Sequence, residues 1–277
     1  MSHCSYVRTP EEVQKMYQTV GKMSDCEGLF AAWVTDPAAI TAALPEQLTM
    51  LAPVCTAYSL KVHHANFATG YREAALIVPV LFEGTPGLYP ISILLDGSDN
   101  AMFVGRDQLG MPKKSADINL YRSGDVIHTD ITRLGSTVAS IDLEIGAWND
   151  PENAAPIFGD TSKPQDGMQY FYKFDMGQDE NARIYVDNVR LLSYRGVMDF
   201  HAWENATVKS IALTPSDSDP WAMFPVVKPL GAGWTTLDID LLGTQKVTPV
   251  DADDALIGKL LSGKYDSPQF GYPTRLL

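Results

Sequence analysis

Apolar and polar residues alternate with a period of two over most of this chain, the spacing of strands with one face buried. VCTAYSLKVHHANF (residues 54–67) shows the pattern with β-branched and aromatic side chains, and YREAALIVPVLFEG (71–84) and YPISILLDG (89–97) continue it. Within the second, AALIVPVLF is apolar throughout and reads as a buried strand. ADINLYRSGDVIHTDITRLGSTVASIDLEI (116–145) divides into three alternating strands joined by RSGD and RLGS, both hairpin-turn signals. Strand patterns return at YFYKFDM (170–176), ARIYVDNVRLLSY (182–194) and ATVKSIALTP (206–215).

Helical signals are few. Thr9-Pro10 with Glu11 and Glu12 opens a short helix over 10–20. In TDPAAITAALP (35–45), Thr35 or Asp36 caps a helix, Pro37 suits its first turn and Pro45 follows its end. In SDNAMFVGRDQLG (98–110), Ser98 or Asp99 is the cap and Gly110 the C-terminal glycine. Residues 146–168, rich in Gly, Pro, Asn and Asp, read as a long surface loop. The fold class expected is mainly β (α+β): one domain over 1–277, with an antiparallel, closed or strongly curved barrel-like sheet and a few short helices.

Composition narrows the partners. The chain has 277 residues, 45% of them hydrophobic, enough for a sizeable core, and its 34 acidic against 21 basic residues give a net charge of −13. Such a surface repels phosphate backbones, so no nucleic-acid partner is expected and a small molecule is. No apolar run approaches the ~20 residues of a membrane helix, and the first twenty residues lack the apolar core of a signal peptide. The expectation is a cytoplasmic protein whose three cysteines, Cys4, Cys26 and Cys55, remain free thiols. His63 and His64 are adjacent on a strand and face opposite sides, which argues against a shared metal. Trp221 and Trp234 are expected in the core, and 243–277 carry no motif.

GMPKKSA (110–116) places two lysines directly after a proline in this acidic chain. Pro112 fixes one backbone angle and restricts Met111, so the joint aims a side chain reproducibly. A free lysine, with pKa ~10.4, offers only about one neutral amine in 2,500 at pH 7. Burial among apolar groups or an adjacent cation would raise that fraction.

The wider segment VGRDQLGMPKKSADINL resembles that of acetoacetate decarboxylases, in which a Gly-Arg pair, a spacer and Pro-Lys-Lys precede a strand. That family is a known case of lysine activation by desolvation or by a second cation. LFAAWVTDPAAITAALPEQL is similar to the family's early strand, helix and Leu-Pro-Glu-x-Leu segment, and YREAALIVPVLFEG to its Tyr-x-Glu strand. The resemblance spans about 28–242. It implies that Lys113 forms a Schiff base with a ketone, that Lys114 is the neighbouring cation, and that Glu73 moves protons. It also makes Tyr71 a candidate donor to the substrate oxygen. On an extended strand Tyr71 and Glu73 share one face and Arg72 takes the other.

Two positions depart from the family. Its substrate-facing arginine falls at Cys26, and its second active-site glutamate at Tyr58, which becomes a substrate-binding candidate. The activity implied is a cofactor-free lyase decarboxylating a β-keto acid, with the imine as electron sink in place of a metal or pyridoxal. The departures make an aldolase-dehydratase, using pyruvate through the same imine, the alternative. A carrier that binds an apolar ligand without catalysis is the reading from another class. A homo-oligomer is expected by analogy alone.

Overall fold

The computed structural model describes residues 7–17 and 20–266. In chain order the elements are α1 (Pro10–Tyr17), β1 (Gly21–Val34), α2 (Pro37–Ala43), β2 (Thr49–Met50), β3 (Val54–Ala65), β4 (Tyr71–Phe82), β5 (Thr85–Asp96) and α3 (Asp99–Val104). Then come a π-helical turn (Gly105–Leu109), β6 (Lys113–Ser115), β7 (Asp117–Ser123), β8 (Val126–Arg133), β9 (Ser136–Ile145) and α4 (Pro151–Phe158). Three long strands, β10 (Gln165–Gln178), β11 (Ile184–Leu213) and β12 (Lys228–Pro249), lead to α5 (Asp254–Lys264).

The strands form one sheet in the order β10-β5-β4-β3-β1-β12-β11-β9-β8-β7. Because β10 also pairs with β11, and meets β5 through Gln169 opposite Leu88, seven of these strands curl around a common interior. Neighbours are antiparallel except at β10–β5 and β5–β6. The mainly β architecture and strong curvature match the sequence expectation.

Strand alternation sorts the residues between two faces. On β1 and β4, Leu29, Ala31, Trp33, Ala74, Leu76 and Val78 turn outward and pack with Ile127, Ile131, Ile141 and Leu143 of the β7–β9 meander. Tyr71, Glu73 and Ile77 of β4 turn inward. Both faces of β4 are therefore covered, which explains its unbroken apolar run. Trp221 and Trp234 are buried, as expected, and Trp221 donates through its indole N–H to Ser92 Oγ at 3.2 Å.

Local signals operate as the sequence indicates. Thr9 and Glu12 form a reciprocal capping box at α1 (2.9 and 3.2 Å). Asp36 caps α2 and Ser98 caps α3, while Gly110 ends the π-helical turn in the left-handed conformation (φ 77°).

The stretch 146–168 is not one long loop. Asp150 caps α4, Pro151 occupies its first turn, and β10 begins at Gln165. Buried Ala154 and Phe158 pack on Ala32, Val54 and Leu230, so tertiary contact overrides the loop-forming composition. No described helix is long and apolar enough to cross a membrane. Cys26 and Cys55 are buried free thiols, and Cys4 lies outside the described residues.

Candidate active site

The segment that aims Lys113 is built from short, tightly turned elements. Ser98 starts α3, the helix widens to π geometry at Gly105–Leu109, and the chain turns back at Gly110. Such π-helical turns recur at functional sites, because the extra residue displaces one turn of side chains. Met111 N–H donates to Gly105 O at 3.1 Å, and Pro112 O accepts from Ile93 N–H at 3.0 Å. β6 then lies parallel to β5, with Lys113 opposite Ile93. The lysine enters the interior on a backbone anchored at both ends.

Lys113 and Glu73 meet there. Lys113 Nζ donates to Glu73 Oε2 at 2.9 Å and to Ala101 O at 3.4 Å, and both side chains are about 6% exposed. Tyr58 O–H donates to the other carboxylate oxygen, Oε1, at 2.6 Å. One buried carboxylate is thus held between an amine and a phenol. Arg72, on the opposite face of β4, pairs instead with Asp96 at 3.1 Å.

Burial, reinforced by the Glu73 charge, keeps the Tyr58 and Tyr71 phenols protonated far above the ordinary tyrosine range. Tyr71 lines the same interior, and its O–H is directed to Met23 Sδ at 3.0 Å. Cys26, where the family arginine would fall, is wholly buried beside this group. Burial pushes its thiol up to about 12, with the Glu73 charge adding to the effect, so it contributes no charge.

Lys114 points the other way, as successive strand residues must. Its Nζ donates to Ser218 O at 2.5 Å and lies 3.8 Å from Asp266, and burial lowers its pKa from the usual lysine value. Behind it, buried Arg133 binds Ser115 O, Asp219 and Asp266. Lys114 is part of this rear network, and its side chain is absent from the described lining of the interior.

That interior is a cavity of about 1250 Å³. Its charged lining groups, among the described residues, are Glu73, Lys113 and Asp166, with no arginine. Of the residues singled out from the sequence, Lys113, Glu73, Tyr58 and Tyr71 all line the cavity. Sequence reasoning missed Met198, Phe200 and Trp203 of β11, which line the cavity without forming any local motif. His63 and His64 diverge to Glu27 (3.6 Å) and Asp25 (3.7 Å), and no cluster of three or more metal-ligating side chains occurs among the described residues.

The family model described as acetoacetate decarboxylase (ADC) matches residues 6–250, wider than the 28–242 read from motifs. A CLA biosynthesis isomerase from Lactiplantibacillus plantarum is 32% identical over 275 residues, covering 96% of each chain. An acetoacetate decarboxylase from Ralstonia nicotianae is 33% identical over 93 residues, 34% of this chain and 37% of that protein. The crystal structure of acetoacetate decarboxylase from Legionella pneumophila has the same fold, with a TM-score of 0.67 at 19% identity over 84% of this chain and 88% of that one.

Proposed function

Since this chain belongs to the acetoacetate decarboxylase family, we propose that it is an enzyme whose Lys113 condenses with a ketone and whose Glu73 then relocates a proton on the adjacent carbon. The observation that carries the proposal is the buried Lys113–Glu73–Tyr58 set, placed in a largely apolar cavity whose described lining offers no second cation.

The 2.9 Å contact is the route by which the amine becomes nucleophilic. Transfer of one proton from Lys113 to Glu73 replaces two buried charges by a neutral amine and a neutral acid, still hydrogen-bonded. The amine adds to the carbonyl carbon, water leaves, and the nitrogen now carries the positive charge of an iminium. Glu73, again a carboxylate, removes a proton from the neighbouring carbon, and the C–H electron pair moves toward nitrogen to give an enamine. When a double bond lies one carbon further, reprotonation at its far end shifts it into conjugation. Water then releases the ketone and restores the amine. Tyr58, donating to Oε1, holds the carboxylate oriented while its other oxygen exchanges protons.

Two observations favour isomerisation over loss of carbon dioxide. A substrate carboxylate would enter a cavity whose described lining holds one lysine, engaged in bonding carbon, and no arginine. A relative matched over 96% of its length is named an isomerase. Pyruvate meets the same lack of a cation. Decarboxylation of a β-keto acid remains the second reading, supported by the partial match to decarboxylases, because the same imine stabilises the carbanion left when carbon dioxide departs.

The test supplies a β,γ-unsaturated ketone and, separately, acetoacetate. Growth of conjugated-enone absorbance, abolished in both Lys113→Met and Glu73→Gln, supports the proposal. Carbon dioxide release from acetoacetate at a comparable rate would transfer the assignment to the second reading. Conjugation that persists in Lys113→Met would contradict the imine.

A further inference from the structure

We infer that the ketone carries a long, straight apolar chain, which lies from Lys113 along a row of aromatic rings toward α4. The inference rests on the imine reading and adds to it the class of substrate.

Cavity size is the first observation. Sites for drug-sized ligands occupy ~300–1,000 Å³, and this one is about 1250 Å³. A small keto acid would leave most of it to water, against walls that are largely apolar.

The second observation is where the apolar wall runs. Tyr58, which bonds Glu73, has its ring 5.6 Å from that of Phe30. Phe30 lies 6.0 Å from Trp203, and Trp203 lies 5.2 Å from Phe158 on α4. Phe200 closes the row from the side, edge-on to Trp203 at 5.6 Å. All five residues line the cavity, and no charged side chain falls within the row. Outside the row, the exposed Asp166 of the lining is held by Arg195.

The row is fixed rather than adaptable. Trp203 donates its indole N–H to Asn205 Oδ1 at 2.7 Å, and its ring covers Gly233 of β12 so closely that a Cβ there would stand 2.2 Å from Cζ2. Any larger residue at 233 would drive the indole into the cavity. Phe158 is the last ring of the row, held in place by the packing of α4. A rigid apolar channel with its reactive amine at one end measures a chain by length.

Burial of each methylene is expected to tighten binding about fourfold. The experiment traps the imine on the intact protein with borohydride, using straight-chain methyl ketones from acetone upward. Mass spectrometry of the Lys113 peptide gives the half-saturating concentration of each. That concentration falls severalfold per added methylene until the row is filled, then levels off. In Trp203→Ala the ratio of short-chain to long-chain half-saturating concentrations moves toward one. Phe158→Leu, a milder change, moves it in the same direction should the first variant melt early. A flat dependence on chain length with Lys113 still labelled overturns the inference and leaves the imine reading standing. Absence of label with every ketone overturns both.

Discussion

Gly105 and Lys113 are in contact across the π-helical turn: a Cβ built on Gly105 would stand 2.8 Å from both Cδ and Cε of the lysine and 3.1 Å from its Nζ. The glycine backbone is right-handed helical (φ −65°, ψ −41°), so it is the lysine stem, and not the main chain, that requires the missing side chain. Gly105→Ala should therefore gain helix propensity of ~1 kcal/mol yet displace the reacting nitrogen. We expect thermal stability close to that of the parent and turnover lowered about 10- to 100-fold. Equal loss of both, by calorimetry and initial rates, would show that the turn is merely packing.

Tyr58→Phe removes the O–H that Glu73 Oε1 accepts and leaves the buried carboxylate with Lys113 as its remaining partner. Bonds to charged groups contribute ~1.5–3 kcal/mol, so urea unfolding should show a loss of that order. Turnover should fall more than substrate affinity, because the phenol orients the group that moves the proton. A change confined to KM would place Tyr58 in substrate binding alone.

Lys114 tests the meaning of the lysine doublet. With its ammonium on Ser218 O and near Asp266, it secures β6 from behind. Lys114→Met should lower turnover by misplacing Lys113, with the pH-rate profile keeping its shape. An upward displacement of the whole profile would instead mark a cation acting directly on the reactive amine.

α5 provides a pH signature. Burial, aided by the Arg106 charge, lowers the Lys264 pKa to about 7, and its Nζ lies 4.0 Å from the centre of the Phe174 ring. The unfolded chain keeps this proton up to pH ~10.4. Between these values the unfolded state binds more protons, so stability rises with pH by at most ~1.4 kcal/mol per unit. Below pH 7 the residue is charged in both states and adds no slope. Lys264→Met should flatten the rise in urea unfolding between pH 7 and 10 and stabilise the protein at pH 7. An unchanged slope would remove Lys264 as its source.

Much of this was legible locally. Asp36-Pro37, Ser98 and the RSGD and RLGS turns each act within a few residues, and so survive as sequence signals. α4 was obscured because Asp150 and Pro151 also suit a loop, and Phe158 acquires its helix-stabilising contacts from distant strands. β11 read as two strands, but it runs unbroken through HAWEN, bending at register shifts that bring Met198, Phe200 and Trp203 inward. The pairing of Lys113 with Glu73 joins residues 40 apart across β5, which no local pattern records. The motif named both partners; the fold supplies the distance.

The central claim is that the amine of Lys113 bonds carbon. Reduction with borohydride in the presence of a ketone substrate, followed by peptide mass spectrometry, should place the added mass on Lys113 and on no other lysine, and Lys113→Arg should abolish it while the protein stays folded. Label on Lys114, or turnover that survives in Lys113→Arg, would contradict the account.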